Sequence, residues 1–152
     1  MQFTVLPAGS QTGMATIDFL LKGDHGHTVV GVYRNVSKAP AKYTSHPNFK
    51  AIQGDMDNGS SLDFTGSDAV LTLAPPRFDS EDIAKVSKST SENIKAAIER
   101  SGTVKRLIFV SSLGAEVPTG TVSAKALTLL RRAFVSRAHA SNIGRDCAEL
   151  CS

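Results

Sequence analysis

Five short apolar runs, separated by polar and turn-forming segments, set the pattern of the chain. Phe3, Val5 and Leu6 form the first, a brief β-favouring run that gives way to the turn residues from Pro7 to Gly13. From Met14 the spacing of apolar positions changes, and Met14, Ile17 and Leu21 fall on one side of a helix predicted over residues 11–22. Gly23 is expected to end it in the left-handed region, where glycine carries no Cβ penalty. Thr28-Val-Val-Gly-Val-Tyr33 predicts a second strand, Phe49-Lys-Ala-Ile52 a third and Asp68-Ala-Val-Leu-Thr-Leu73 a fourth. Residues 58–63 are too few and too polar for more than a turn or a brief helix. A long helix is predicted over residues 80–100, capped by Asp79, with Ile83, Val86, Thr90, Ile94, Ala97 and Ile98 along one stripe and Gly102 just beyond. Residues 105–112 predict the fifth strand, leaving through the polar exit Ser111-Ser112-Leu113-Gly114.

Apolar strands that alternate with helices are suited to burial on both faces of a parallel sheet with right-handed crossovers. The expected architecture is α/β, a three-layer Rossmann-like parallel sheet with strand order 3-2-1-4-5. Ligands of such sheets lie beyond the carboxyl ends of the strands, near the reversal of strand order. That places Pro7 to Gly13 and Ala74-Pro75-Pro76 on one crevice.

Composition narrows the class. A chain of 152 residues, 41% hydrophobic and 20% charged, is one globular domain with room for a full core. No stretch has membrane-spanning length, and the start lacks the basic-then-apolar layout of a signal peptide. The expectation is a soluble, cytoplasmic protein with no membrane partner. Cys147 and Cys151 lie together near the end, without the further ligands a zinc site needs, and His25 and His27 flank a glycine in what is expected to be a solvated turn, so no metal is expected. The net charge of +3 comes from the tail: Lys125, Arg131, Arg132, Arg137 and Arg145 face only Asp146 and Glu149 there, while residues 1–116 balance. A neutral body argues against a specific nucleic-acid surface.

The first turn carries the candidate chemistry. A strand feeding a helix through small residues holds the pyrophosphate of a dinucleotide, because the first helical N–H groups and the positive end of the dipole point at it. Pro7, Ala8, Gly9, Ser10, Gln11, Thr12 and Gly13 are the candidates. Set against G-x-x-G-x-x-G, the pattern positions are Pro7, Ser10 and Gly13, so the third glycine stands in place, with Gly9 one residue from the middle position. Pro7 removes one N–H and pre-shapes the turn, whereas Ser10 narrows the approach and adds a hydroxyl. The bland alternative is an ordinary strand-to-helix turn. At the end of the second strand, about 20 positions past such a turn, an acid would accept the ribose 2′-hydroxyl and a base would suit a 2′-phosphate. Arg34 stands there, with Lys38 four residues on and no acid between them, which selects NADP(H) over NAD(H) unless both are plain surface charges.

Several segments together resemble the NmrA-like group of atypical short-chain dehydrogenases. They are Val5 to Gly13, Tyr33-Arg34-Asn35 with Ser37-Lys38, Gln53-Gly54-Asp55, Gly66 to Val70, Ala74-Pro75-Pro76, and Val104 to Ala115. The resemblance implies an NAD(P)-binding Rossmann core over 1–116. It implies that the first turn holds the pyrophosphate, Arg34 with Lys38 the 2′-phosphate, Asp55 and Met56 the adenine, and Leu73, Ala74, Pro75, Pro76 and Ser111 the nicotinamide side. No tyrosine follows Tyr43, so the Tyr-x-x-x-Lys pair of ordinary short-chain dehydrogenases has no counterpart. Thr121 and Lys125 share its spacing, but a threonine is too weak an acid to replace the phenol. Residues 117–152 depart from the group and are expected to form a divergent basic tail, helical or partly disordered, in place of the family's C-terminal strands and substrate region. The fifth strand is then expected to leave an open edge for the tail, a protein partner or a second copy. Three functions follow: an NADP(H)-binding sensor or regulator or a reductase remnant, cytoplasmic or nuclear; an NADPH-dependent oxidoreductase of carbonyl or quinone substrates; or a truncated fragment that does not bind.

Overall fold

The computed structural model describes residues 1–23, 26–73 and 83–110. Strand β1 (Gln2–Leu6) leads into helix α1 (Gln11–Lys22), followed by β2 (Thr28–Tyr33), the one-turn helix α2 (Ala41–Thr44), β3 (Phe49–Gln53), β4 (Ala69–Leu73), helix α3 (Ile83–Ser101) and β5 (Arg106–Val110). Single 3-10 turns occupy Val36–Lys38 and Gly59–Ser61. All four strand pairings are parallel, in the order β3-β2-β1-β4-β5. That is the order expected from the alternation of elements, and the fold is Rossmann-like α/β.

Each face of the sheet carries one apolar cluster. On one, Val5, Ile17, Val29, Tyr33, Tyr43 and Phe49 join α1 and α2 to the strands. On the other, Leu6, Val32, Leu62, Phe64 and Val70 meet Ile94 and Ala97 of α3. The stripe foreseen for α3 lies inward, since Thr90, Ile94 and Ala97 are buried and Val86 and Ile98 half-buried. Burial at this density is the main stabilising term of such a domain.

The glycines at helix ends divide. Gly102 takes φ +63 beyond α3, as a left-handed stop should. Gly23 does not: at φ −80 and ψ 131 it is extended. β5 also departs from two-sided burial, with Arg106, Ile108 and Val110 exposed between half-buried Leu107 and Phe109. It is the edge of the described sheet, and the alternation puts its half-buried residues on the face of α3, where Leu107 packs. The cap foreseen at Asp79 and everything foreseen beyond Val110 lie outside the described residues.

The strand starts are joined by Asp68. Its carboxylate accepts from the Gln2 N–H at 2.9 Å and the Lys105 ammonium at 3.0 Å, while its carbonyl accepts from the Lys105 N–H at 2.9 Å. Those bonds, the Gln2 amide first and Lys105 next, hold its pKa below the ordinary carboxylate value.

Candidate functional site

The turn between β1 and α1 is closed from within. The Ser10 hydroxyl donates to the Pro7 carbonyl at 2.9 Å and accepts the Gly13 N–H at 2.9 Å, which makes Ser10 the N-cap of α1. The hydroxyl that sequence pattern offered to a phosphate is therefore committed to the cap. The Ala8 N–H donates to the Val32 carbonyl at 3.0 Å and ties the turn to β2. Gly13 is required by contact rather than by φ, because a Cβ there would lie inside 3.0 Å of the Pro7 carbonyl oxygen. Gly9 is exposed, and a Cβ would meet nothing nearer than the Tyr33 ring at 3.7 Å. Among the described residues the amides of Gly9, Gln11 and Thr12 have no hydrogen-bond acceptor, and all three residues are exposed. Pro7 contributes no N–H, and the bond preceding it is cis. Unsatisfied amides at a helix N-terminus are the donors that a pyrophosphate would take up. The turn thus fits a dinucleotide despite its missing glycines.

The turn lies at the centre of the sheet's carboxyl end. Leu6 pairs with Thr72 of β4, so half-buried Leu73 is level with the turn. Ala74, Pro75, Pro76 and Ser111, assigned from sequence to the nicotinamide side, fall outside the described residues. The Thr72 hydroxyl is fully buried without a hydrogen-bond partner, as is that of Tyr33, whose pKa is raised by desolvation first and by Tyr43 second.

At the other side, the exits of β2 and β3 run level, with Tyr33 paired to Gln53. Arg34 follows Tyr33, its side chain 59% exposed. It is not alone, as the local sequence suggested: its Nε lies 3.3 Å from Asp55 Oδ1 and its Nη2 3.3 Å from Asp57 Oδ2. Asp55 and Asp57 are held in turn. The Asp55 N–H donates to Ser61 Oγ at 2.9 Å, the Asp57 N–H to Asp55 Oδ1 at 3.0 Å, and Thr90 Oγ1 of α3 to Asp57 Oδ1 at 3.4 Å. Met56, between them, is buried in the cluster beneath α3, and its carbonyl accepts from Asn93 Nδ2 at 2.9 Å. Lys38 is exposed and makes no ion pair among the described residues, its turn being capped by Asn35 Oδ1, which accepts the Ser37 N–H at 3.0 Å. The sequence analysis gives no role to Asp57, and it misses Thr90 and Asn93 as supports of this rim. The alternate carboxylates of Asp55 and Asp57 were the available signal.

A cleft of about 540 Å³ opens at the opposite end, lined by Gly66 to Asp68 and Gly102 to Lys105. It is shallow and sits at the amino ends of β4 and β5, away from the helix N-terminus and Arg34. The turn is the better site on charge and on donor supply. Among the described residues no group of acids, histidines and cysteines could hold a metal, and no helix is long and apolar enough to cross a membrane.

A central strand that feeds a capped helix start, inside a parallel sheet ordered 3-2-1-4-5, defines a dinucleotide-binding Rossmann domain. Residues 8–146 match the NAD(P)H-binding family, and the chain belongs to it. No curated protein is matched by its sequence. Among solved structures, triphenylmethane reductase of a Citrobacter species is similar at 22% identity and a TM-score of 0.76, over 90% of this chain and 45% of that one. A nucleoside-diphosphate-sugar epimerase from Staphylococcus aureus is similar at 20% identity and a TM-score of 0.75, over 90% and 47%. NmrA, a negative transcriptional regulator, is similar at 18% and 0.62, over 87% and 42%. These identities speak for the fold, and the NmrA-like Rossmann character implied by the sequence segments is borne out at that level. The chain spans less than half the length of each of these three proteins.

Proposed function

We propose that the chain binds NADP(H), with the pyrophosphate on the turn from Pro7 to Gly13 and the adenosine 2′-phosphate against Arg34 and Lys38. The observation that carries this reading is the row of exposed amides of Gly9, Gln11 and Thr12 at the start of α1, without acceptors among the described residues and on the same sheet end as Arg34. Asp55 and Met56 would border the adenine, and Leu73, Ala74, Pro75, Pro76 and Ser111 the nicotinamide. The role we favour is a cofactor-binding sensor or regulator, or the remnant of a reductase, in the cytoplasm or the nucleus. Thr121 and Lys125 share the spacing of the Tyr-x-x-x-Lys pair with a threonine in place of the phenol, which favours binding over proton transfer by that pair. In this reading residues 117–152 form a separate basic tail, and the β5 edge is open to it, to a protein partner or to a second copy.

A second reading is supported by the solved reductases of this fold, among them triphenylmethane reductase complexed with NADP(H) and a yeast methylglyoxal/isovaleraldehyde reductase complexed with NADPH. The chain would then reduce a carbonyl or quinone compound, with the bound nicotinamide supplying the hydride. Calorimetric titration of the folded chain with NADPH and, separately, NADH tests the site. Preferential NADPH binding is the expected result, and no binding of either overturns the assignment. Consumption of NADPH with quinone or aldehyde substrates separates the second reading from the first.

A further inference from the structure

We infer that Asp57 is a positioning residue that sets how strongly this site distinguishes a phosphorylated from a bare adenosine ribose, by competing with the 2′-phosphate for Arg34. The inference rests on the reading of the β2 exit as the adenosine end of a dinucleotide site. One guanidinium faces two carboxylates, through Nε to Asp55 and through Nη2 to Asp57, so one edge of its donor fork is engaged. The carboxylates are the anchored partners. Asp57 is fixed by its own N–H on Asp55 and by the Thr90 hydroxyl of α3, a residue only 7% exposed. Arg34 is the movable one, more than half exposed on the residue after β2.

A dianionic 2′-phosphate must therefore draw the guanidinium from two fixed carboxylates or share it with them beside like charge. A ribose 2′-hydroxyl meets no such cost, since a carboxylate accepts its hydrogen bond. Asp57 thus weakens NADPH binding while leaving NADH binding nearly unchanged. The arginine gives the site its phosphate preference and the aspartate limits it.

Titration of the full chain with NADPH and NADH, for the wild type, Asp57→Asn and Asp57→Glu, each alone and with Arg34→Ala, tests this. Asp57→Asn keeps size and removes charge, and for exposed pairs of this kind it should tighten NADPH binding about three- to fivefold with NADH within about twofold. Asp57→Glu should restore the wild-type ratio. In the Arg34→Ala background the effect of Asp57→Asn should fall below about twofold, because its route is gone. An unchanged NADPH-to-NADH ratio in Asp57→Asn overturns the inference, and so does an equal gain with and without Arg34, which would mean simple charge repulsion. A wild-type chain that binds neither nucleotide overturns the underlying site assignment instead, and the inference with it. Thr90→Val, which loosens the anchor without touching the charge, should move the ratio in the same direction by a smaller factor.

Discussion

Replacing Gly13 by alanine tests whether the turn works as the contacts say. The added methyl would lie inside 3.0 Å of the Pro7 carbonyl oxygen, 2.9 Å from Ser10 Oγ and 3.1 Å from the Ala8 carbonyl oxygen. Two of the three are backbone atoms, so the strain cannot be relieved by a rotamer change. The helix must move off the turn, and the Ser10 cap, which depends on the Gly13 N–H at 2.9 Å, moves with it. Loss of a serine cap costs about 1 kcal/mol, and alanine's better helix propensity returns about the same amount. What remains is overpacking, about 1–3 kcal/mol. Against a domain stability of about 5–15 kcal/mol this is large, and with a urea m-value of about 2 kcal/mol/M it lowers the midpoint by roughly 1 M. Urea unfolding followed by circular dichroism reads that shift. The same variant should weaken NADPH and NADH binding alike, because the turn serves the pyrophosphate common to both. A midpoint equal to or above that of the wild type would refute the reasoning, since propensity would then have outweighed contact.

Arg34→Ala should weaken NADPH binding about tenfold and leave NADH almost unaffected, because only the charge-assisted contact to the 2′-phosphate is removed; equal losses for both would contradict its role. Thr72→Val should stabilise the chain by about 1 kcal/mol, seen as a higher urea midpoint, because the hydroxyl is buried without a partner on the face it shares with Leu6 and Val70. Asp68 has a depressed pKa, so its contribution to stability is present above about pH 4, the ordinary carboxylate range, and is lost as pH falls through its lower folded value. Thermal melts from pH 6 to pH 2 should therefore lose less for Asp68→Asn than for the wild type.

Much of the architecture was legible because each strand was a short apolar run and each helix showed its own spacing. Met14, Ile17 and Leu21 gave α1, and the stripe through Thr90, Ile94 and Ala97 gave the buried face of α3. Parallel order followed from the alternation itself. What escaped depends on relations between segments. Gly23 is extended, which residue type cannot convey. Ser10 looked like a phosphate contact by its place in the glycine pattern, although a serine before a helix is also a cap, and the cap is what formed. The partners of Arg34 sit more than twenty residues away and meet it only through the level pairing of Tyr33 with Gln53. Counting acids between Arg34 and Lys38 could not find them.

The position of β1 carries a consequence for the order of assembly. Its pairing with β2 joins residues about 26 apart, as in Phe3 with Val29, and β3 extends the same sheet by Phe49. The opposite edge of β1 waits for β4, since Phe3 pairs with Ala69 there, 66 residues later. During synthesis, then, a three-stranded half can form while the future centre of the sheet is still an unpaired edge, with Val5 already in its own cluster and Leu6 still lacking Val70, Ile94 and Ala97. Long-range parallel pairing of this kind is slow, and an unpaired apolar edge is open to intermolecular pairing in the interval. The strand that ends as the most protected in the sheet is the one most exposed to aggregation while the chain is being made.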